Sequence, residues 1–352
     1  MRHLFTITIV LSLGTWVQCF STSTNKGEQP TAFKLDKKST ATDVLRELNN
    51  NCKLAQYVAS KGIAVVTGGN AGIGSETVKA LSIAGMRVVL CSRSSEAGEK
   101  VLQSLPEWCR PNVRVQTLDL ADLNSVKTAA QDILNKEGEI DILLNNAGVM
   151  ALPKREETVQ GFELQFGTNH VGHHYLTRLL LPCLRQGGRV VTVASTAHTM
   201  SQLDLGDLNY IGDRKYTPWG AYGQSKLANI LFAKELDDRL RKEDISRTGD
   251  VRSVSLHPGV IGTNLWQYSS PSIIRGLLTK IVSDKTIEQG AATSVYASIV
   301  EPSMLTGGDY LSDCKPAEPN ANAQDSILRV KLWEETEDML SNAGFELEPK
   351  LL

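Results

Sequence analysis

Short apolar runs recur along the chain and alternate with segments of helical spacing. Between them, residues 75–84 and 123–137 place apolar side chains on one face of a helix. Strands that are apolar at nearly every position are typical of a parallel sheet covered by helices on both faces. The pattern therefore predicts an α/β fold, a single doubly wound domain with a mostly parallel sheet. The six predicted strands are residues 63–66, 86–93, 113–120, 140–148, 189–195 and 251–257.

The first predicted strand leads directly into a glycine-rich turn and then a helix. Glycine lets the backbone turn tightly, and it lets a diphosphate approach main-chain N–H groups at the positive end of the helix dipole. This order is typical of Rossmann-type dinucleotide binding. The spacing is Gly-x-x-x-Gly-x-Gly, and such a turn alone is weak evidence because similar turns close ordinary strand-helix connections. The candidate cofactor-binding residues are Gly68, Asn70, Gly72, Ile73 and Gly74.

The second predicted strand ends where the adenosine ribose of a dinucleotide would lie. An acidic residue at this position would bind the ribose hydroxyls and repel a 2′-phosphate, but the chain has Ser92 and Arg93 there. A hydroxyl and a guanidinium suit a phosphate, which favours NADP(H) over NAD(H). The alternative is that Arg93 is simply a solvated loop arginine.

Tyr222 and Lys226 stand four residues apart, so in a helix they share one face about one turn apart. A free tyrosine, with a pKa of about 10, is a poor acid or base near neutrality. We expect the lysine cation to favour the phenolate and to lower the tyrosine pKa toward the working range. An isolated Tyr-x-x-x-Lys also occurs by chance in solvent-facing helices, so the other motifs must support this interpretation.

Several polar residues follow predicted strands. Ligands of open parallel sheets bind beyond the strand carboxyl ends, so the glycine turn, Asn146, Ser195 and the Pro258-Gly259 pair should converge. In a carbonyl reduction, charge grows on the substrate oxygen as hydride arrives. Ser195 and Tyr222 could meet that charge with hydrogen bonds, and the tyrosine could supply the proton.

These motifs together resemble those of the short-chain dehydrogenase/reductase family, over about residues 61–311. The phrases at 168–173 and 222–229 are most similar to the retinol-dehydrogenase-like branch. The segments that carry the resemblance are Thr67 to Gly74, Asp119-Leu120, Asn145 to Gly148, Phe166 to His174, Ser195, Tyr222 with Lys226, and His257 to Gly259 with Thr263.

The resemblance implies a catalytic tetrad. Tyr222 would be the proton donor in reduction and the acceptor in oxidation, and Ser195 would bind the substrate oxygen. Lys226 would bind the nicotinamide ribose and lower the tyrosine pKa. Asn169 would shape its helix and hold a water that relays protons to Lys226.

The resemblance also implies further cofactor contacts along the predicted crevice. The pair Asp119-Leu120 would face the adenine, and Asn146 and Gly148 would face the cofactor ribose. The nicotinamide end would lie against Pro258, Gly259 and Thr263.

Three histidines, His170, His173 and His174, have a spacing that could place imidazoles on one helical face, as metal ligands require. No thiolate or carboxylate joins them within the run, so packing and polar contacts are expected instead of a metal site. The six cysteines show no Cys-x-x-Cys spacing, which indicates neither a zinc site nor a disulfide framework.

The composition of the chain limits the kinds of partner it can bind. With 352 residues, 41% hydrophobic, and a net charge of -2, the chain can bury a full core and has no electrostatic attraction to nucleic acid. An apolar segment at 265–282 follows the Pro-Gly pair where this family builds its substrate lid. It suits a lipophilic substrate, although the same residues would serve equally as ordinary packing. The pairs at 273–274 and 277–278, or the C-terminal helix, could instead contact a membrane. Homo-oligomer formation stays open.

The ends of the chain predict targeting and helical extensions. Residues 1–19 combine a basic start with an apolar stretch, as in a cleaved signal peptide or, less well, a signal anchor. The hydroxyl-rich segment after it resembles the bipartite presequence of algae with complex plastids, which favours plastid delivery over the endoplasmic reticulum. The predicted divisions are 1–19 signal peptide, 20–41 transit-like segment or linker, 42–60 N-terminal helical extension, 61–315 Rossmann domain and 316–352 C-terminal helical extension.

The predicted function is an NADP(H)-dependent oxidoreductase that transfers hydride between nicotinamide and a lipophilic carbonyl or alcohol. One alternative is a membrane-associated redox-sensing scaffold that binds NADP(H) with little turnover. The other is an epimerase or dehydratase that uses the same tyrosine and lysine with tightly held NAD, which the missing acid after the second strand disfavours.

Overall fold

The computed structural model describes residues 34–242, 251–261 and 284–347. They form one sheet of eight strands in the order β3-β2-β1-β4-β5-β6-β7-β8. All neighbouring pairs are parallel except β7 with β8. The strands are β1 (Ile63–Thr67), β2 (Arg87–Ser92), β3 (Val113–Thr117), β4 (Ile140–Asn145), β5 (Leu184–Val193), β6 (Arg252–His257), β7 (Tyr310–Ser312) and β8 (Lys315–Pro316).

Helices lie between the strands and at both ends of the described chain. A π-helical turn, Gly167–Val171, joins two of them, and a 3-10 turn, Thr196–Met200, follows β5. The α-helices are α1 (Ala41–Asn50), α2 (Gln56–Ala59), α3 (Gly72–Ile83), α4 (Ser95–Ser104), α5 (Leu123–Glu137), α6 (Leu164–Phe166), α7 (Gly172–Leu180), α8 (Pro218–Lys242), α9 (Ile287–Ile299) and α10 (Ser326–Asn342).

The predicted doubly wound α/β fold is confirmed. Every residue of β1 and β4 is buried, as the near-continuous apolar runs require. One apolar core lies between the sheet and α5, α7, α8 and α10, and a second lies between the opposite face and α1, α3 and α9. Strand order reverses between β1 and β4, so the crevice beyond their carboxyl ends is the expected ligand site.

Tertiary structure adds strands that the sequence pattern did not predict. β7 and β8 contain three and two residues, and such short segments give no periodic signal. β5 begins at Leu184, five residues before the predicted run, although these five residues include one charged residue and two glycines. These segments are strands because a neighbouring strand offers hydrogen bonds, not because of their composition.

The N-terminal helix is part of the main core. Thr40 and Asp43 form a capping box that starts α1. The segment predicted as an N-terminal helical extension, 42–60, contains the rest of α1, which ends at Asn50, and the short helix α2. The apolar face of α1, including Val44 and Leu48, packs against α9 and α3. Residues 1–33 lie outside the described part, so the signal peptide and plastid delivery stay predictions.

A buried arginine ties this N-terminal region to the sheet. Arg189 of β5 is fully buried and donates to the carbonyl oxygens of Ala297 (2.8 Å) and Val300 at the end of α9. Its guanidinium carbon lies 5.8 Å from the ring centroid of Tyr57, whose hydroxyl donates to Ser298 O. The cation thus meets the negative end of a helix dipole and an aromatic face. Burial lowers the pKa of Arg189.

The C-terminal helix α10 covers α7 and α8. Four of its apolar side chains are buried, namely Leu332, Trp333, Met339 and Leu340, whereas Ile327 is 67% exposed and does not belong to the packed face. Burial of these four side chains against the body leaves them unavailable to a membrane. In the described part of the chain, no helix combines the length and apolar character needed to cross a bilayer.

An ion-pair cluster anchors α10. Glu337 accepts from Arg178 at 2.6 Å and approaches His174 Nε2 at 2.9 Å, and the side chains of both partners are almost completely buried. Removing the carboxylate would leave the buried Arg178 cation without this acceptor, so Glu337→Ala should lower the free energy of unfolding by about 2–4 kcal/mol.

Urea unfolding of the two proteins measures this loss. The exposed Glu334 on the same helix supplies a control, because Glu334→Ala should change stability by no more than about 0.5 kcal/mol. Equal losses in both variants would show that the Glu337 cluster does not hold α10 in place.

Candidate active site

The turns after β1 and β4 are joined by one buried hydroxyl. Thr67 Oγ1 accepts hydrogen bonds from the backbone N–H groups of Asn146 (2.9 Å) and Ala147 (3.0 Å). The Asn146 side chain returns the contact by donating to Thr67 O at 2.7 Å. Asn146 is therefore hydrogen-bonded to the start of the glycine turn. The turns after β1 and β4 converge, as predicted.

The glycine turn leaves no room for side chains. Gly68 has φ +64°, and a Cβ on Gly74 would lie 2.2 Å from Gly68 O and 2.6 Å from Asn146 Nδ2. Gly72 also has positive φ, Asn70 is half-buried, and Ile73 packs in the core. This compactness brings main-chain groups to the surface of the crevice.

The start of α3 suits a diphosphate. Its N-cap residue is Ala71, which offers no side-chain hydrogen bond to the first amides, and the first turn has no acidic residue. By contrast, Ser94 and Asp122 cap α4 and α5 with their side chains. Uncapped amides at the positive end of a helix dipole are the groups that bind phosphate, so these residues fit the expected dinucleotide.

The adenosine end is defined by β2 and β3. Ser92 is buried, and its hydroxyl donates to Ser94 O (2.7 Å) and accepts from Ser94 N, so the local turn already uses it. Arg93 is exposed. Asp119 accepts from Ala121 N at 2.9 Å and is half-buried.

Leu120, beside Asp119, is part of the core. It is buried, and a Cβ on Gly172 would lie 2.4 Å from its carbonyl oxygen. The Leu120 side chain therefore packs in the core, and only the backbone of this residue could face a cofactor. Of the two strand-end residues named for phosphate binding, the exposed Arg93 is the better placed, because the Ser92 hydroxyl is engaged.

Asn169 lies in the π-helical turn, a feature that is frequent at functional sites. Its side chain holds the backbone of Val149 by two hydrogen bonds, accepting from N (2.8 Å) and donating to O (2.9 Å). It also donates to Ser225 Oγ at 2.9 Å. A Cβ on Gly148 would lie 3.1 Å from Asn169 Oδ1, so the turn after β4 packs directly on this amide.

α8 carries the tyrosine and the lysine. The Tyr222 hydroxyl faces the side chain of Ser195, which follows β5. Lys226 Nζ donates to Val193 O at 2.9 Å and lies 5.7 Å from the Tyr222 ring centroid. Ser225 Oγ, the partner of Asn169, donates to Tyr222 O at 2.8 Å. The structure thus brings all four predicted tetrad residues to one place.

Burial dominates the acidity of this pair. It raises the pKa of Tyr222 to about 12, although the polar Ser195 side chain acts in the opposite direction. It lowers the pKa of Lys226 to about 8. The structure therefore does not show the expected lowering of the Tyr222 pKa by Lys226. Both groups lie in a poorly solvated site, and the lysine ammonium is hydrogen-bonded to the carbonyl oxygen of Val193.

The wall beside the tyrosine is apolar. Tyr222 forms a buried cluster with Met150, Ala151 and Ala197. The ring of Trp219 lies 6.0 Å from the Tyr222 ring, nearly perpendicular to it. Met200, at the end of the turn after Ser195, is 67% exposed. A ligand that reaches the phenol would therefore pass mainly nonpolar side chains.

The short segment after β6 contains the predicted contacts of the nicotinamide end. Pro258 is buried, and Gly259 has φ +97°, where a Cβ would lie 2.4 Å from Lys285 Cδ. His257 Nδ1 accepts from Thr196 N at 3.3 Å, and burial together with Lys285 lowers the pKa of His257 to about 4. Thr263 and the predicted lid at 265–282 lie outside the described residues.

Each histidine of the run at 170–174 has a protein partner. His170 Nε2 contacts Thr336 Oγ1 (3.0 Å), His174 contacts Glu337, and His173 contacts Thr67 and Asn169. Within the described ranges, no group of three or more His, Cys, Asp or Glu side chains is arranged to hold a metal ion.

Sequence reasoning missed Thr67 and His173 as site residues. Thr67 lies in the glycine motif and His173 in the histidine run, but neither pattern predicts a place in the active site. A threonine directly before the glycine turn, after four apolar strand residues, was the available signal for the first. No signal in the sequence connects it to a histidine 106 positions away.

Titration of Lys226 should make stability depend on pH. Between about pH 8 and about pH 10.5 the unfolded chain binds the lysine proton and the folded protein does not, so wild-type stability gains with rising pH. Lys226→Met removes this term. The free energy of unfolding of the variant minus that of the wild type should therefore fall by about 2 kcal/mol between about pH 7 and about pH 10.

Urea unfolding at the two pH values gives this difference. Lys242→Met, at the exposed end of α8, controls for the loss of one positive charge. If the stability difference between Lys226→Met and the wild type does not change with pH, burial does not lower the pKa of Lys226.

Comparison with known proteins agrees with this geometry. The family model described as short chain dehydrogenase matches residues 62–206. Retinol dehydrogenase 11 of Mus musculus is 38% identical over 282 residues, which cover 79% of this chain and 86% of that protein. The chloroplastic short-chain dehydrogenase TIC 32 A of Brassica napus is 35% identical over 310 residues, 84% of this chain and 91% of that protein.

A crystal structure of an uncharacterised protein from Mycobacterium Paratuberculosis has the same fold. It superposes with a TM-score of 0.67 and 32% identity, and the match covers 88% of this chain and 99% of that one. The chain therefore belongs to the short-chain dehydrogenase family, in its retinol-dehydrogenase-like branch, and is an oxidoreductase.

Proposed function

We propose that the protein is an NADP(H)-dependent oxidoreductase that transfers hydride between the nicotinamide ring and a lipophilic carbonyl or alcohol. The observation that carries the proposal is the position of Tyr222, whose hydroxyl faces the Ser195 side chain and which lies within one helical turn of Lys226. The crevice beside it begins with uncapped helix amides that suit a diphosphate. An acid, a polar partner for the reacting oxygen and a nucleotide cradle are the parts that such a reaction needs.

In carbonyl reduction the cofactor would supply the hydride, and the protein would manage the charge and the proton. Ser195 and Tyr222 would donate hydrogen bonds to the substrate oxygen as negative charge grows on it. Because burial keeps Tyr222 protonated, the phenol carries the proton that the product oxygen requires.

Lys226 would contribute through its cation and its position. Its ammonium is held by Val193 O, and it lies near the Tyr222 ring. A cation at this distance stabilises the phenolate that remains after proton transfer. Asn169 acts indirectly, because it fixes the backbone of Val149 and binds Ser225 on the tyrosine helix.

The cofactor contacts would follow the observed crevice. The Gly68–Gly74 turn and the start of α3 would hold the diphosphate, with Asn146 and Gly148 beside the ribose. Arg93 would bind the 2′-phosphate of NADP(H), since it is exposed at the end of β2 where no acidic side chain follows. Pro258 and Gly259 would border the nicotinamide end.

The lipophilic substrate class is supported by the cluster around the tyrosine. Met150, Ala151 and Ala197 present nonpolar surface next to the phenol, and Trp219 and Met200 continue it outward. Burial of an apolar ligand against such a wall is favourable by about 25 cal/mol for each Å² removed from water. The name of the mouse relative, retinol dehydrogenase 11, describes an enzyme for an apolar alcohol.

Replacing the tyrosine tests the chemistry directly. Tyr222→Phe keeps the ring and removes the proton, so kcat for reduction of a lipophilic aldehyde with NADPH should fall by about a hundred to ten thousand fold. NADPH binding, measured by the change in its fluorescence, should change little.

A matched control is Tyr210→Phe. Tyr210 is 6% exposed, as is Tyr222, and its hydroxyl has no hydrogen-bond partner among the described residues, so kcat should stay near that of the wild type. Wild-type protein that binds NADPH but turns over no carbonyl would instead support a redox-sensing scaffold.

Charge reversal tests the cofactor preference. Arg93→Glu replaces a partner of the 2′-phosphate by a repelling charge, so KM for NADPH should rise by about tenfold or more, while KM for NADH should not rise. Initial rates with both cofactors give the ratio. Lys100→Glu, an exposed residue of α4, controls for the change in net charge. An unchanged NADPH to NADH ratio in Arg93→Glu would exclude Arg93 as the determinant.

A further inference from the structure

His173 is a buried imidazole whose two nitrogens both have partners. It is 1% exposed. Its Nδ1 lies 3.0 Å from Asn169 O, and its Nε2 lies 2.8 Å from Thr67 Oγ1. One ring therefore contacts the tetrad asparagine on one side and the start of the glycine turn on the other.

The contacts determine where the protons are. A carbonyl oxygen can only accept, so Nδ1 must donate to Asn169 O, and the neutral ring then leaves Nε2 as an acceptor. Thr67 has one hydroxyl proton and two possible acceptors, His173 Nε2 at 2.8 Å and Leu144 O at 3.3 Å. The shorter contact, to a nitrogen that needs a donor, takes the proton.

In this arrangement, the single donor and both acceptor sites of the Thr67 hydroxyl form hydrogen bonds. It donates to His173 and accepts from the amides of Asn146 and Ala147, which fills both of its lone pairs. A protonated His173 would bring a third donor to the same oxygen and displace one of the amides. The junction of the two cofactor turns therefore depends on a neutral imidazole.

Electrostatics keep the ring neutral. Burial lowers the pKa of His173 to about 4, and the nearby Lys226 cation acts in the same direction. At neutral pH the Nδ1–H form described above is thus the form present. The proximity of Lys226 also shows that the ring lies beside the tetrad and not only beside the cofactor turns.

We propose that His173 is a positioning residue that couples the nucleotide-binding turns to the catalytic tetrad, through one hydrogen bond from Thr67 and one to the Asn169 backbone. It touches neither substrate nor cofactor. Its Asn169 bond orients the backbone whose side chain holds Val149 and Ser225, and its Thr67 bond holds the hydroxyl that joins the turns after β1 and β4. The inference rests on the proposed hydride-transfer function.

Replacing the ring by a hydrocarbon tests the coupling as a whole. His173→Leu removes both bonds, and because small displacements of reacting groups cost up to about a hundredfold in rate, kcat should fall by about ten to a hundredfold. The dissociation constant for NADPH should rise as well.

His174→Leu is the matched control. It is the next residue, it is equally buried, and its polar partner is Glu337 of α10 instead of the tetrad. Both variants should lose thermal stability, but only His173→Leu should lose kcat and cofactor affinity at a temperature well below unfolding. Equal kinetic behaviour of the two variants would reduce His173 to a core residue and overturn the proposal.

Two half-replacements separate the two bonds and apply even if the leucine variant does not fold. In His173→Asn the amide NH2 can replace Nδ1–H toward Asn169 O, and the contact with Thr67 is lost. In His173→Gln the longer amide can accept from Thr67, and the Asn169 bond is lost. NADPH affinity should suffer more in the asparagine variant, and kcat more in the glutamine variant.

A double-mutant cycle with Thr67→Val completes the test. If the bond is real, Thr67→Val should weaken NADPH binding in the wild type and have a smaller additional effect in His173→Asn, which already lacks that bond. Additive effects, or the same kinetic pattern in both half-replacements, would overturn the coupling. Absence of carbonyl turnover in the wild type would refute the proposed function instead, while the NADPH affinities would still test the Thr67 bond.

Discussion

The close approach of the turns after β1 and β4 is the constraint on which the rest of the site depends. Gly74 and Gly68 lie so near each other and Asn146 that no side chain fits between them. One buried hydroxyl, Thr67 Oγ1, satisfies the two amides that this approach brings together. Buried amides without partners would cost about 1–3 kcal/mol each, so threonine at this position makes the compact junction possible. The nucleotide crevice exists because the two turns can close in this way.

The predicted catalytic residues are placed by backbone contacts more than by pairing with one another. Lys226 binds Val193 O, and Asn169 binds both polar groups of Val149. Such contacts fix the side chains before any ligand arrives, and fixed groups lose little freedom during the reaction. Burial favours the neutral form of both groups, because it raises the pKa of the Tyr222 phenol and lowers the pKa of the Lys226 ammonium. The cost of burying these groups is offset by the large core on both faces of the sheet.

Much of this arrangement could be predicted from the sequence, because its signals are local. Apolar runs gave the parallel order, and the positions of Ser195, Tyr222 and Lys226 followed from strand ends and helical spacing. Two properties could not be predicted from the sequence, namely the hydrogen bond that occupies the Ser92 hydroxyl and the raised pKa of Tyr222. The first depends on the conformation of a turn, and the second depends on burial by elements distant in the sequence. The same holds for β7 and β8, which depend on neighbouring strands, and for Ile327, whose exposure depends on how α10 docks.

The buried Arg189 has a practical consequence for shortening the chain. Its guanidinium is enclosed by the ring of Tyr57 and by carbonyl groups at the end of α9, so residues before the first strand form part of its enclosure. An expression boundary placed just ahead of β1 would remove Tyr57 and open a charged cavity to water behind the sheet. Any trimmed version intended for crystallisation should therefore start ahead of residue 40, where the capping box of α1 begins.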